Sequence, residues 1–208
     1  MTRLVSTRVF LTVLSFAFVL AACDSGGSNS EINNEFTLTI SPTSSSSTSA
    51  VPKTTKKDLN GYSFFVNAED VENVDEKGFV IYFNGSDSFS EQNATQGLFG
   101  FLARNSGQPG TGEYSITNTS TSSAFAGWLY EDLTNRQNAP YYLIHDGSLS
   151  LSTSSDRKVA GSISGTATQY TFTSSGVSLD TVNVSGSFTA KSLDKFVPYS
   201  SYTNPSGS

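Results

Sequence analysis

The chain has 208 residues, a formal net charge of −6 and 14% charged side chains, while aromatic residues make up 12%. The acidic balance excludes a nucleic-acid partner, because a protein that binds phosphates must neutralise them with Lys and Arg. The aromatic content excludes a disordered chain. The single cysteine excludes an internal disulfide, so stability must come from hydrophobic packing.

The first 22 residues have the pattern of an export signal. Arg3 and Arg8 precede an apolar stretch at residues 9–20. This stretch is too short for a membrane span, which needs roughly 20 residues. Small residues end the stretch at Ala22, and Cys23 follows directly. The order of these features predicts processing between Ala22 and Cys23.

This pattern resembles the lipobox of bacterial lipoproteins. In that family the cysteine sulfur receives a diacylglycerol before cleavage, and the new amino terminus is usually acylated as well. The resemblance implies lipidation at Cys23 and a membrane partner held through that anchor. It also implies a place in the bacterial cell envelope, periplasmic or surface-exposed, with the outer membrane favoured over the inner.

The rest of the chain is predicted to form one β domain on a tether. Residues 23–34 are polar and glycine-rich, and a flexible tether of this length spans about 20 Å. The β domain is predicted over residues 35–198. Within it, the Ser/Thr-rich residues 41–58 predict a loop or linker, and the polar residues 199–208 predict a disordered tail.

Short strands separated by turn residues follow one another along the first part of the domain. The run at residues 79–83 is apolar on both faces, which is typical of a central strand. An acidic turn is predicted at residues 69–76 and one helical turn at residues 90–96. The other strands of this part are predicted at residues 36–40, 62–67, 97–104, 113–117 and 124–131.

The last third of the chain has the clearest alternation of apolar and polar residues. Residues 148–153, 159–168 and 182–190 alternate with a period of two and place Ser and Thr on one face. This pattern predicts antiparallel strands with one side in water. Three glycines on the inner face predict bulges or a close approach of another layer, at Gly161, Gly165 and Gly186.

About 8–10 short strands and no long amphipathic helix predict an all-β fold, either an antiparallel β-sandwich or a closed β-barrel. The segments 112–116, 141–151, 159–167 and 182–189 resemble small β-rich lipoproteins of unknown function that are frequent in Bacteroidota. The resemblance covers roughly residues 110–190 and implies an all-β envelope protein. That family has no assigned catalytic residue.

The residues that could carry chemistry do not form a known catalytic pattern. His145 is the only histidine, and no G-x-S-x-G motif accompanies it. Glu131 and Asp132 are adjacent on a strand and should point to opposite faces, so they would not act as a glycosidase pair. One histidine and one lipidated cysteine cannot supply a zinc site. The carboxylates of the acidic run 69–76 could hold Ca²⁺ in a loop, but their spacing matches no known calcium loop and such runs are usually solvated. We therefore expect a non-enzymatic protein without metal or cofactor.

The most suggestive group is aromatic and consists of Trp128, Tyr130, Tyr141 and Tyr142. Trp and Tyr rings bind sugars and apolar ligands, so these residues predict a ligand platform, although core residues show the same pattern more often. Two binding alternatives remain at this stage. One is a carbohydrate-binding surface module. The other is a lipocalin-like carrier with a small apolar ligand inside a barrel.

Overall fold

The computed structural model describes residues 32–43, 55–68, 78–86, 97–135 and 138–193. The all-β prediction is confirmed for these ranges, which contain strands and no α-helix. The nine strands are β1 Glu35–Pro42, β2 Lys57–Asn67, β3 Phe79–Asn84, β4 Phe99–Arg104, β5 Gly112–Thr117, β6 Ala124–Tyr130, β7 Tyr141–Ser154, β8 Lys158–Thr173 and β9 Gly176–Ser192.

Several predictions concern residues outside the described ranges. These are the processing and lipidation site at Ala22 and Cys23, the acidic run 69–76, the helical turn 90–96 and the tail 199–208. The predicted loop at residues 41–58 is described only at its two ends, which belong to β1 and β2.

The last residue of the predicted tether already belongs to the folded domain. Asn34 is buried, its carbonyl accepts a hydrogen bond from the Ser63 N–H at 2.7 Å, and its side-chain amide donates to the Ser63 carbonyl at 3.3 Å. Asn34 therefore belongs to the described β domain and not to the predicted tether, because its carbonyl and its side-chain amide both bond to the backbone of Ser63.

The nine strands form one mixed sheet that closes into a ring in the order β1-β2-β3-β4-β6-β5-β7-β8-β9. Most neighbours are antiparallel, as predicted. Two pairings are parallel, between β5 and β6 at Ser115–Thr117 and between β2 and β9 at Ser63–Phe65. At β5 the cause is the connection 118–123, which returns the chain alongside β5 before β6 starts.

The inner face of the closed sheet is packed with aromatic and aliphatic side chains from alternate strand positions. Phe83 contacts Phe36 and Phe188, with ring centroids 5.1 and 5.8 Å apart. A second run of ring contacts, with centroid distances from 5.7 to 6.4 Å, joins Phe65, Phe79, Phe125 and Tyr114.

A second apolar cluster lies on the outer face of β2, β3 and β4, and we call it the outer cluster. It consists of Phe64, Val66, Val80, Tyr82, Phe99, Phe101 and Leu133. Together with the inner face it buries every residue of β3. The prediction that residues 79–83 form a strand with two apolar faces is thus confirmed.

The inner-face glycines lie where paired strands of the same sheet approach each other closely, and not where another layer does, which corrects one of the two predicted roles. A Cβ on Gly165 would lie 2.5 Å from the Asp146 carbonyl oxygen and 2.8 Å from the Gly147 Cα. The pairing of β7 with β8 shifts register between Ile144 and Asp146. Gly165 therefore accommodates the backbone next to this β-bulge.

The hairpin of β8 and β9 is longer than predicted. The sequence indicates strand ends at Thr168 and Val182, whereas the two strands stay paired up to a turn between Thr173 and Gly176. The prediction is too short because Ser, Thr and Gly dominate this segment and are typical of loops.

Residues 171–180 form the extra length of the hairpin, which we call the arm. Among the described strands, β8 and β9 pair only with each other in the arm. β7 begins at Tyr141, opposite Tyr170 of β8. β1 ends at Pro42, opposite Val182 of β9. The arm therefore continues as a two-stranded ribbon beyond its neighbours in the ring.

Candidate functional site

Aromatic residues of three neighbouring strands meet on the outer face of the sheet. Tyr130 of β6 lies opposite Tyr141 of β7, and Tyr141 lies opposite Tyr170 of β8. Trp128 and Phe172 stand two positions away on β6 and β8, so they share this face. We call these five residues the aromatic row.

The rings of the row stand side by side with Tyr141 in the middle. The Tyr141 and Tyr170 centroids are 4.4 Å apart, and their planes differ by 2°. Tyr130 and Trp128 stack on Tyr141 at 5.5 and 6.2 Å, and Phe172 stacks on it at 6.0 Å. All four ring planes lie within 30° of the Tyr141 plane.

This arrangement decides which ring faces can meet a ligand. Tyr141 has rings of β6 on one side and rings of β8 on the other, so both of its faces are in contact with protein. Tyr170 stacks on Tyr141 with one face, and its other side is directed toward β9, where its cross-strand partner is Leu179. A ligand would therefore meet ring edges along the row and the Leu179 side chain at its β9 end.

One end of the row is packed against the ring and the other reaches solvent. Trp128 and Tyr130 are half-buried and pack against the outer cluster. Phe172 is 38% exposed, and the neighbouring Val177 and Leu179 of β9 are 55% and 62% exposed. The row therefore runs from a fixed base on β6 to an exposed apolar end on the arm.

The central tyrosine of the row, Tyr141, is uncharged at neutral pH. Burial raises the pKa of Tyr141 above its ordinary value, and the neighbouring Tyr170 and Tyr130 raise it further because a phenolate there would be repelled. The Tyr141 hydroxyl consequently keeps its proton and can donate a hydrogen bond to a neutral acceptor.

Tyr142 does not belong to this surface, which corrects the predicted four-residue platform. It follows Tyr141 directly, so it points to the opposite face, and it is completely buried among the inner residues. Its hydroxyl donates a hydrogen bond to the Glu131 carboxylate. Burial, followed by the hydrogen bond and the charge of Glu131, raises the pKa of Tyr142 well above its usual range.

Glu131 and Lys57 complete a polar group at the end of the ring where β2 begins and β6 ends. Lys57 Nζ donates to both carboxylate oxygens of Glu131, at 2.8 and 2.9 Å. The Glu131 side chain is 19% exposed and that of Lys57 is 35% exposed. Because the carboxylate is shared between Lys57 and Tyr142, this group links β2 to β6 and β7 across the ring.

The carboxylates of Glu131 and Asp132 have separate partners, as their adjacency suggests. The Asp132 carboxylate accepts hydrogen bonds from the hydroxyl and the N–H of Thr134 at 2.7 and 2.8 Å. The hydroxyl bond is the main cause that lowers the pKa of Asp132. This geometry fits a loop-capping role for Asp132 and does not place two carboxylates around one substrate.

His145 lies at the β-bulge of β7, where no residue of β8 stands directly opposite it. Its side chain makes no hydrogen bond or ion pair in the part of the chain that the structure describes. No cluster of three potential His, Cys, Asp or Glu ligands exists among the described residues either.

The sequence reasoning missed Tyr170, Phe172, Val177 and Leu179. A signal for them exists, because Tyr170 and Phe172 alternate with Thr, and Val177 and Leu179 alternate with Ser. The turn residues between the two pairs hid this alternation. Register supplies the missing information, since it places Tyr170 opposite Tyr141 and Phe172 opposite Val177.

Within the described ranges no helix is long and apolar enough to cross a membrane. Comparison of the chain with family models, with curated proteins and with solved structures finds no match.

Proposed function

We propose that this chain is a lipid-anchored, non-enzymatic binding module of the bacterial cell envelope. In this proposal the signal peptide ends at Ala22, Cys23 carries the acyl chains, and the β domain meets its ligand through the aromatic row. The outer membrane is the preferred location. More than one acyl chain is required, because a single chain anchors a protein only marginally.

The observation that supports a binding role is the aromatic row itself. Its rings come from three strands, and their planes lie within 30° of the Tyr141 plane. One end of the row carries exposed apolar side chains. Contiguous exposed apolar side chains beside rigid rings are typical of surfaces that bind a partner or ligand.

The lipocalin-like carrier is the weaker alternative. A carrier needs an interior chamber of roughly 300–1,000 Å³. The inner face of this ring instead carries two runs of aromatic contacts, one through Phe83 and one through Phe79.

The anchor is tested by membrane fractionation of cells that express the full chain. We expect the wild-type protein to fractionate with membranes and to incorporate labelled fatty acid. Cys23→Ala should lose the label and the membrane association or remain unprocessed, while Ser25→Ala should behave as wild type. A processed Cys23→Ala protein that still fractionates with membranes would contradict the anchor.

The binding role is tested with the fluorescence of Trp128, which is the only tryptophan of the chain and belongs to the row. The full-length protein is kept in a zwitterionic detergent without sugar groups and titrated with neutral and anionic oligosaccharides. In a separate experiment it is reconstituted into vesicles with brominated lipids, which quench a tryptophan near the bilayer. We expect one probe to change the emission. A folded protein that responds to none of them would overturn the binding role.

A further inference from the structure

The arm has one apolar face and one polar face. Phe172 and Val177 are directly opposite each other, and Leu179 is opposite Tyr170, so these residues share the outer face. The positions between them on β8 and β9 are polar and belong to the other face. Exposed large apolar side chains of the described residues occur only here, at Phe172, Val177 and Leu179.

The chemistry of this face indicates a neutral ligand. Asp180 is the only charged residue in residues 170–180, and it lies on the opposite face of the ribbon from Leu179. Its carboxylate accepts a hydrogen bond from the Thr181 N–H at 2.8 Å. No cation of the arm could attract an anionic ligand, and no anion stands on the apolar face to attract a cation.

The size of the exposed face indicates a small ligand. Phe172, Val177 and Leu179 are 38%, 55% and 62% exposed, so together they present on the order of a few hundred Å² of apolar surface. A stable protein interface buries about 800 Å² on each partner. The apolar face by itself is smaller than such an interface, and its size suits one or two rings.

The position of the face relative to the row indicates a ring-shaped ligand. Tyr170 is stacked on Tyr141 through one face, and Leu179 stands beside its other side with 62% of its surface exposed. A ring-shaped ligand placed on Leu179 would lie next to the stack, on the side of Tyr170 that faces away from Tyr141. The hydroxyl groups of the tyrosines at the row's edge are hydrogen-bond donors for such a ligand.

We propose that the arm binds a neutral sugar unit of an envelope polysaccharide, with the C–H face of the sugar on Phe172, Val177 and Leu179 and its hydroxyls directed to the tyrosines of the row. The inference rests on the proposed function, because it specifies the ligand class and the subsite of the same surface. It goes beyond that function because it predicts that the ligand is neutral and that binding depends on the arm.

The test measures the affinity of the full-length protein, in zwitterionic detergent, for short neutral oligosaccharides by titration calorimetry. Phe172→Ala and Leu179→Ala should each weaken binding by about tenfold, which corresponds to about 1.4 kcal/mol. The matched controls are Thr171→Ala and Ser178→Ala, which change the polar face of the same ribbon and should leave the affinity unchanged. Thermal melting verifies that all four variants are folded.

The outcomes separate this inference from the proposed function. Neutral sugars that bind and lose affinity only in the apolar-face variants support both. Preference for an anionic sugar, quenching by brominated lipid without sugar binding, or arm-dependent self-association in sedimentation each overturns the inference. Lipid or anionic sugar that changes Trp128 emission still supports the binding role. Absence of any response overturns both.

Discussion

Two sides of the same ring use apolar residues in different ways. On β3, in the first part of β4 and at residues 64–66 of β2, both faces of the sheet are apolar, and every residue of β3 is buried. On β7, β8 and β9 buried positions alternate with polar ones, and the exposed apolar residues of the described chain are confined to the arm. The comparison separates apolar residues that stabilise the ring from apolar residues that can meet a ligand.

The strongest test of this comparison makes the same substitution on both sides. Phe99 is fully buried in the outer cluster, with ring contacts to Tyr82 and Phe101 at 6.2 Å. Phe99→Ala should lower the free energy of unfolding by about 3–5 kcal/mol, because it removes buried surface and leaves a cavity. Phe172→Ala should lower it by less than about 1 kcal/mol, since Phe172 is 38% exposed. Urea denaturation measures both values.

Equal losses in the two variants would break the comparison. A small loss for Phe99→Ala would mean that the outer cluster is not a packed layer in solution. A large loss for Phe172→Ala would mean that the arm stabilises the ring, in which case its apolar face would not be reserved for a ligand.

A second test asks how closely β7 and β8 pack on the alternating side. Gly165→Ala should lower the free energy of unfolding by about 1–3 kcal/mol, because the new Cβ would lie 2.5 Å from the Asp146 carbonyl oxygen and force the strands apart. Gly110→Ala is the control, since no atom lies within 4 Å of a Cβ at that position. Unchanged urea midpoints for both variants would show that the two strands separate easily at the bulge.

The sequence predicts the two sides well wherever a strand is buried or alternates cleanly. Residues 79–83 are apolar throughout, and residues 148–153 alternate, and both patterns correspond directly to the burial observed. Strand order cannot be obtained in this way. The position of β5 between β6 and β7 depends on contacts between strands, which a pattern along one chain does not contain.

The candidate site shows the same limit. Trp128 and Tyr130 could be assigned to one face because their spacing is even, but the assignment of Tyr142 to the same surface ignored the opposite parity of its neighbour Tyr141. Tyr170 lies far along the chain, and only the pairing of β7 with β8 brings it to Tyr141. The bulge after Ile144 also changes the parity within β7, which no composition rule predicts.

The two tyrosines of β7 allow a test that compares the inner and outer faces at adjacent residues. Tyr142→Phe should lower the free energy of unfolding by about 1 kcal/mol at neutral pH, because the Glu131 carboxylate loses a buried donor. The pKa of Tyr142 is raised in the folded state, so stability is fully present below the ordinary tyrosine value of 10.0 and falls as pH rises above it. Tyr142→Phe should therefore reduce this alkaline loss in urea titrations between neutral and high pH.

Tyr141→Phe is the matched variant for the outer face. Burial also raises the pKa of Tyr141, but no carboxylate of the described residues contributes to that shift, so the effect of Tyr141→Phe on the alkaline loss should be smaller. If Tyr141→Phe and Tyr142→Phe change the pH dependence equally, the carboxylate of Glu131 makes no special contribution. If Tyr142→Phe leaves the pH dependence unchanged, its hydroxyl is not held by Glu131 in solution.

The smallest expected change in the free energy of unfolding is near the tip of the arm, where the apolar side chains are the most exposed. Val177 is 55% exposed and stands opposite Phe172. Val177→Ser should change the free energy of unfolding by less than about 0.5 kcal/mol, because a surface substitution without a buried partner removes little contact. The measurement is a urea midpoint beside that of Ser178→Ala, its neighbour on the polar face. A loss above about 1 kcal/mol for Val177→Ser alone would mean that the apolar face is already covered within the protein. A loss near zero leaves this face accessible, as a surface that meets a ligand requires.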